Sequence, residues 1–323
     1  MERVKDGSRA GKRPKKPFFT SKRIADIKEN AVLYGIMSPT LIHIFVFCYI
    51  PIYGIVIAFQ DYYPGAPFIA FDGSVEWVGF KHFLRFFNSY FFERILTNTL
   101  VLGGLLLVCG FFVPIVFALL LNEMRHLRLK KIIQTSSYLP HFISMVIVAS
   151  MVLLVMDDNG MINNILRVFG MKELSYGSDK NLIIPVYVIT KIWKTFGWSS
   201  ILFLSAIASA DQEIYEAAKC DGANRFHQAW HLTLPAIKMP IMITLVFSIS
   251  SLLGADSELL LLISNPANIE KGDVVGTYLY RSGLLGGNFS SASAVGLLST
   301  TAGFILLYLS NTFSKKFLDF SLW

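Results

Sequence analysis

Hydrophobic residues come along this chain in long runs rather than short alternations, and polar residues collect between the runs. Six runs stand out, at 31–59, 93–121, 132–156, 182–208, 239–263 and 291–313. Each is near or above the ~20 apolar residues with which a helix crosses a bilayer core. The second is the clearest, because no charge interrupts 100–121. The pattern predicts an all-α integral membrane protein with six transmembrane helices over 31–313, between an N-terminal tail at 1–30 and a C-terminal tail at 314–323.

A polar interruption lies between the fourth and fifth runs, where 211–240 reads DQEIYEAAKCDGANRFHQAWHLTLPAIKMP. Asp211 suits the N-cap of a short helix through Cys220, because its carboxylate can accept from the first unpaired backbone N–H groups. Gly222 suits a left-handed break that a residue with a Cβ resists. A second helix starts at Asn224 or Arg225, and Pro235 marks the return towards the membrane. The product is a helix-turn-helix standing in water. An ordinary amphipathic loop is the plain alternative.

Composition narrows the class. With 54% hydrophobic residues and a mean hydropathy of +0.53, the chain is not a soluble two-domain protein of its length. Cys48, Cys109 and Cys220 form no CxxC and no disulfide pattern, so they are structural. The net charge of +7 comes from basic residues beside the runs, which argues for membrane topology and against nucleic acid.

Those basic residues also set the orientation. Ten Lys or Arg lie in the N-terminal tail, four in 122–131, three in the 209–238 loop and two at the C-terminus, whereas 60–92, 157–181 and 264–290 hold two, three and two. The bias puts both tails and the 209–238 loop in the cytoplasm. The tail lacks a short apolar core and a cleavage-like site, so it is not expected to be a secretory signal; contact with anionic membrane lipid fits it better. Residues 80–87, FKHFLRFF, have the composition of an interfacial helix. Ala292, Gly296 and Thr300 make a small-residue stripe suited to close helix packing.

Within 211–240, Glu216-Ala217-Ala218, then Asp221-Gly222-Ala223, then Leu232-x-Leu234-Pro235 resemble the EAA loop of permease subunits in ATP-driven importers. Tyr138-Leu139-Pro140-His141-Phe142, Gly160-x-x-Asn163-x-x-Leu166, 278–284 and Ser321-Leu322-Trp323 extend the resemblance over nearly the whole chain after the tail. They point to the oligosaccharide and polysaccharide branch of binding-protein-dependent permeases, maltose-permease-like, to which the alginate-oligosaccharide importer belongs. The resemblance implies a type I importer permease fold with cytoplasmic coupling helices, in a bacterial cytoplasmic membrane. In that family the loop docks into a cleft of an ATP-binding subunit. Carried over, Glu216 is the acidic contact, Ala217 and Ala218 the small face, and Gly222 the turn, with Asp221, Ala223, Leu234 and Pro235 completing the motif. Leu232 and Trp230 stand where the family often has isoleucine and phenylalanine, and both keep an apolar side chain. The partners implied are a homologous second permease subunit, two ATP-binding cassette subunits and an external solute-binding protein that delivers an oligosaccharide.

The chain has no GxxxxGK[ST] loop, HExxH motif or GxSxG elbow, so it is read as a non-catalytic subunit with no cofactor or metal of its own. ATP and Mg would be bound by the partner ATPases. Ionisable residues inside spans are costly and therefore candidates for function. Lys191 and Lys194 flank Trp193, with Trp198 one turn on, and Asp256 and Glu258 follow Gly254. A sugar needs polar groups for its hydroxyls and apolar surface for its C–H faces. Tyr187, Trp193 and Trp198 could give the surface, and Lys191, Lys194, Asp256 and Glu258 the polar contacts. Pairing among themselves or snorkelling to water is the plainer role for each charge. The resemblance adds that related permeases often carry an acid near Lys191, so a lysine there favours an anionic sugar such as a uronate. The alternative functions are an ion-coupled secondary sugar transporter relaying through these charges and a membrane scaffold using the helix-turn-helix to hold a partner.

Overall fold

The computed structural model describes residues 29–68, 75–254 and 257–318. The tail at 1–28 and the motif Ser321-Leu322-Trp323 lie outside the described residues. The chain divides into two compact units, Met1–Ile55 and Val56–Trp323. The described part of the first is helix α1, Ala31–Ile44, carried on through a π-helical turn at Phe45–Tyr49 and a short piece at Ile50–Ile52. None of its residues is buried. A helix apolar on all sides with no covered face suits an apolar surround.

The second unit has helices joined by loops and, among its described residues, no strand beyond an isolated bridge between Gln60 and Trp77. In chain order it holds α2 (Lys81–Phe87), α3 (Phe91–Asn122), α4 (Leu127–Phe142), α5 (Met145–Met156), α6 (Met161–Val168) and α7 (Ile183–Ala208). Then come α8 (Gln212–Cys220), α9 (Arg225–Gln228), α10 (Leu234–Ala236), α11 (Lys238–Ser250) and α12 (Ser257–Ile263). The last are α13 (Ile269–Gly272), α14 (Val275–Tyr278) and α15 (Phe289–Leu318). Four described helices are long and apolar enough to cross a membrane: Ala31–Phe59, Phe91–Asn122, Met145–Val168 and Phe289–Lys316. A bent pair, Arg225–Ala236 with Lys238–Ser250, makes a fifth.

Helices α3 and α7 pack along each other, α4 crosses α7, and α11 lies against α15. One core gathers Leu102, Met145, Tyr187, Leu259 and Ile263 from α3, α5, α7 and α12. Another gathers Ile115, Ala118, Phe203, Ile207 and Ile237 at the opposite end of α3 and α7. Gly197 makes the α4 crossing possible. A Cβ there would stand 2.1 Å from the Ser137 carbonyl oxygen, where no side chain fits.

Two runs that read as continuous are broken. The run 132–156 stops being helical at Ile143, whose ψ is 134°, and resumes after Ser144, whose hydroxyl accepts from Ile147 N at 3.4 Å. Pro140 has no N–H to give the last turn of α4. The last carbonyls of α4 have no helical partner beyond the break and would be costly inside a membrane, and Lys194 supplies a donor to them. Its ammonium donates to the carbonyls of Pro140 at 3.2 Å and His141 at 3.0 Å, and to that of Ile143. The run 239–263 is likewise two helices, α11 and α12, with a turn at 251–254 closed by Gly254 N donating to Ser251 O at 2.9 Å.

The loops pair by side. Tyr62 N donates to Ser290 Oγ at 2.9 Å, Lys180 Nζ to Glu270 Oε2 at 2.9 Å, and Tyr176 Oη to Ile263 O at 3.0 Å. Asp273, fully buried, holds Arg94 at 2.6 Å and Arg281 at 2.5 Å. These contacts join the loops 60–92, 157–181 and 264–290. At the other end, Arg225 Nη1 donates to Glu123 O at 2.6 Å, joining 122–131 to 209–238. The same division into two sides follows from the lysine and arginine count.

Candidate functional site: a capped helix-turn-helix and a lysine-lined cavity

The turn between α8 and α9 is built by local chemistry. Asp211 caps α8, its carboxylate accepting from Glu213 N at 2.9 Å. Gly222 has φ +81°, and the bonds around it close both ends of the turn. Gly222 N donates to Lys219 O at 3.1 Å and Ala223 N to Ala218 O at 2.9 Å, the paired bonds of a Schellman ending. Asn224 then caps α9, its side chain accepting from His227 N at 2.8 Å. Two interactions fasten the hairpin to the returning chain. Tyr215 Oη donates to Thr233 Oγ1 at 3.1 Å, and Gln228 Nε2 to Ala223 O at 2.8 Å.

This anchoring leaves one face outward. Glu216, Ala217, Asp221 and Gly222 are exposed, whereas Ala218, Ala223 and Leu234 are half-buried and Pro235 is exposed at the return. Glu216 makes no ion pair among the described residues. Residues 225–236 and α11 meet at 67° around Ile237, which is fully buried. The hairpin thus adjoins a packed joint at the foot of α11.

The intramembrane candidates are distributed rather than gathered. Tyr187 is wholly inside the first core and offers no open surface. Lys194 is buried and spent on the end of α4. Trp193 lines an apolar groove of about 270 Å³ against α5. Trp198 stacks on His141, with ring centroids 4.5 Å apart and planes 2° apart. Glu258 lies in the first turn of α12, where a helix N-terminus favours a carboxylate. Asp256 lies outside the described residues.

Lys191 is placed differently. It lines a cavity of about 330 Å³ between α3, α7 and the end of α11, together with Thr195 of its own helix, Ser248 and Ser251 at the end of α11, and Leu106 and Gly110 of α3. One cation and three hydroxyls thus converge beside an apolar surface. The three hydroxyl residues were not singled out in the sequence, because nothing local distinguishes them from other serines and threonines of apolar helices. Outside the spans, ion pairs hold the loops. Asp61 is kept below the usual carboxylate range, chiefly by the hydrogen bond from Lys81. Glu173 is kept low by Arg167, 2.9 Å away.

Comparison with known proteins gives a consistent picture. Residues 110–322 match the family described as binding-protein-dependent transport system inner membrane component. The chain is 44% identical to the polygalacturonan/rhamnogalacturonan transport system permease protein YteP of Bacillus subtilis, over 90% of this chain and 89% of that one. It is 41% identical to protein LplB of the same organism, over 91% and 92%. Among solved structures it is similar to a chain of a bacterial ABC transporter involved in import of the acidic polysaccharide alginate. That match has TM-score 0.83 and 34% identity, covering 92% of this chain and 99% of that one. A second structure of the alginate transporter, in complex with an alginate pentasaccharide-bound periplasmic protein, matches with TM-score 0.82 and 35% identity.

Proposed function

The chain belongs to the binding-protein-dependent transport system inner membrane components, and from that premise we propose that it is the permease subunit of an ATP-driven importer of acidic oligosaccharides. Six spans over 31–313 carry it through the cytoplasmic membrane, with the tails 1–30 and 314–323 and the 209–238 loop on the cytoplasmic side. It pairs with a homologous permease, and each of two ATPase subunits receives one helix-turn-helix. ATP and Mg are bound and hydrolysis occurs in those partners, so this chain is not itself an enzyme. An external solute-binding protein delivers the sugar.

The observation that carries the reading is the hairpin at 211–224. It is capped at both helices, anchored by Tyr215 and Gln228, and presents Glu216 and Ala217 to a partner. Alternating access follows if closure of the ATPase pair moves the hairpin, and through Ile237 the foot of α11, whose far end walls the Lys191 cavity. For the sugar, Lys191 with Thr195, Ser248 and Ser251 supplies one positive charge and hydroxyl partners. The relatives named above for polygalacturonan/rhamnogalacturonan and alginate transport handle polymers that contain uronic acids, which supports an anionic substrate.

The test is ATPase stimulation of the reconstituted complex by its loaded solute-binding protein, comparing uronate with neutral oligosaccharides. Uronates are expected to stimulate, and Lys191→Met to reduce that response about tenfold, equivalent to about 1.4 kcal/mol of lost stabilisation. Stimulation by neutral sugars alone would remove the charge argument and keep the importer. No response to any glycan would remove the carbohydrate assignment.

A further inference from the structure

Beside the hairpin lie two cavities of opposite character that share a rim. The first is an apolar slot of about 600 Å³. One wall is the Phe112, Val116 and Leu120 stripe of α3, with Ile115 of the neighbouring core at its edge. The other wall is Trp230, Leu234 and Ile241. The second is a polar chamber of about 840 Å³ bearing Arg125, Lys219 and Arg225 against a single carboxylate, Glu123. Glu123, Arg225 and Phe226 belong to both linings, so the slot ends where the chamber begins.

The charges there are unbalanced. Arg225 is engaged by Glu123, through the carbonyl at 2.6 Å and the carboxylate at 3.6 Å. Neither Arg125 nor Lys219 makes an ion pair or a hydrogen bond through its side chain among the described residues. With the Arg225 charge offset by Glu123, two cations remain to be neutralised at the mouth of an oily slot. By the orientation argued above, this mouth lies at the cytoplasmic surface, where α3 ends at Asn122. An indole such as Trp230 beside arginine is the side-chain chemistry of a membrane interface.

We propose that these joined cavities hold one anionic phospholipid of the cytoplasmic leaflet, with an acyl chain in the slot and the phosphate between Arg125 and Lys219. A water-soluble phosphate would leave the slot unfilled, and a zwitterionic lipid would bring its own cation to a positive chamber. A lipid tail gains little on leaving one apolar medium for another, so selectivity resides in the headgroup. A bound lipid would bridge α3 to α8, tying the hairpin to the membrane surface. The inference rests on the membrane reading and the placement of the hairpin in the cytoplasm, not on the substrate.

Lipid counting tests it without ATPase or sugar, so it succeeds or fails separately from the importer reading. The full chain in nanodiscs of mixed phosphatidylcholine and phosphatidylglycerol is released and analysed by native mass spectrometry. Retained phosphatidylglycerol is expected to exceed phosphatidylcholine about twenty-five-fold, the product of two basic side chains contributing roughly fivefold each. Arg125→Glu should cut that enrichment at least fivefold. Val116→Trp, which fills the slot from a lipid-compatible surface, should lower retention of both lipids. Equal retention of the two lipids by the wild type, or an enrichment unmoved by Arg125→Glu, overturns the proposal. So does a photo-reactive residue at Phe112 that cross-links in the assembled transporter to a protein subunit rather than to lipid.

Discussion

Lys194 and Lys191 are three residues apart on one helix, and the local pattern of apolar and polar residues around them gives no reason to treat them differently. The structure does. The Lys194 ammonium is surrounded by carbonyls at the end of α4, whereas Lys191 faces a cavity lined with hydroxyls. A helix C-terminus attracts a cation because its last carbonyls lack partners and the backbone dipole is negative there. Lys194 answers that need from another helix, more than fifty residues on, which local pattern cannot reveal. Lys194→Met should therefore destabilise the protein by about 1–3 kcal/mol, the cost of leaving buried acceptors unpaired. Thermal unfolding in detergent followed by tryptophan fluorescence measures it. The reverse pattern, a stable Lys194→Met with an altered sugar response, would return Lys194 to the transport route. Asp273 teaches the same lesson outside the apolar runs. Its two arginines come from α3 and from beyond α14, and only the fold shows that Arg94, an ionisable residue at a span entrance, has a buried partner.

Elements whose ends are set by their own side chains were legible in advance. The hairpin is such a case: Asp211, Gly222 and Asn224 each perform in the structure the capping or turning task their chemistry suggests. Breaks inside apolar runs were not legible, because hydropathy is the same on both sides of a break. Pro140 and Gly254 were the available signals, and each is weak in a membrane helix, where neighbours can satisfy the freed backbone groups. The hairpin supports a prediction at this scale. Gly222→Pro cannot adopt φ +81°, since the ring fixes φ near −65°, and it also removes the donor to Lys219 O. Glu216→Lys keeps the fold of α8 and reverses an outward charge. Both should insert normally. Both should lower substrate-stimulated ATPase activity, Glu216→Lys by about tenfold, which corresponds to about 1.4 kcal/mol at a docked contact. Wild-type stimulation in both variants would remove the coupling role, while loss in Gly222→Pro alone would make the turn's shape, not the charge of Glu216, the working feature.

Across the whole molecule, the most apolar surfaces are the least covered. Helix α1 buries nothing, and the Phe112, Val116 and Leu120 face of α3 is open. A chain that leaves so much large hydrophobic surface uncovered is built to be covered by lipid and by other subunits. Which face receives which is written in the partners, and this is why the transport route was only partly legible in one sequence. The grouping of the loops into two sets was legible from counting charges loop by loop, and the contacts that tie loop to loop respect the same division; which set faces the cytoplasm is an expectation for labelling to test. It also yields the most direct test of the architecture. Cys220 is exposed at the end of α8, while Cys48 and Cys109 lie within apolar helices. Maleimide reacts with a thiolate, which forms in water and not in hydrocarbon. A membrane-impermeant maleimide should therefore spare intact cells, label inverted vesicles, and lose that label in Cys220→Ser. A cysteine placed at Ser178, exposed in the 157–181 loop, should behave oppositely and react in intact cells. Labelling of Cys220 from outside would invert the topology. An ATPase working in the cytoplasm could not then reach the hairpin, so this one measurement bears on orientation and coupling together.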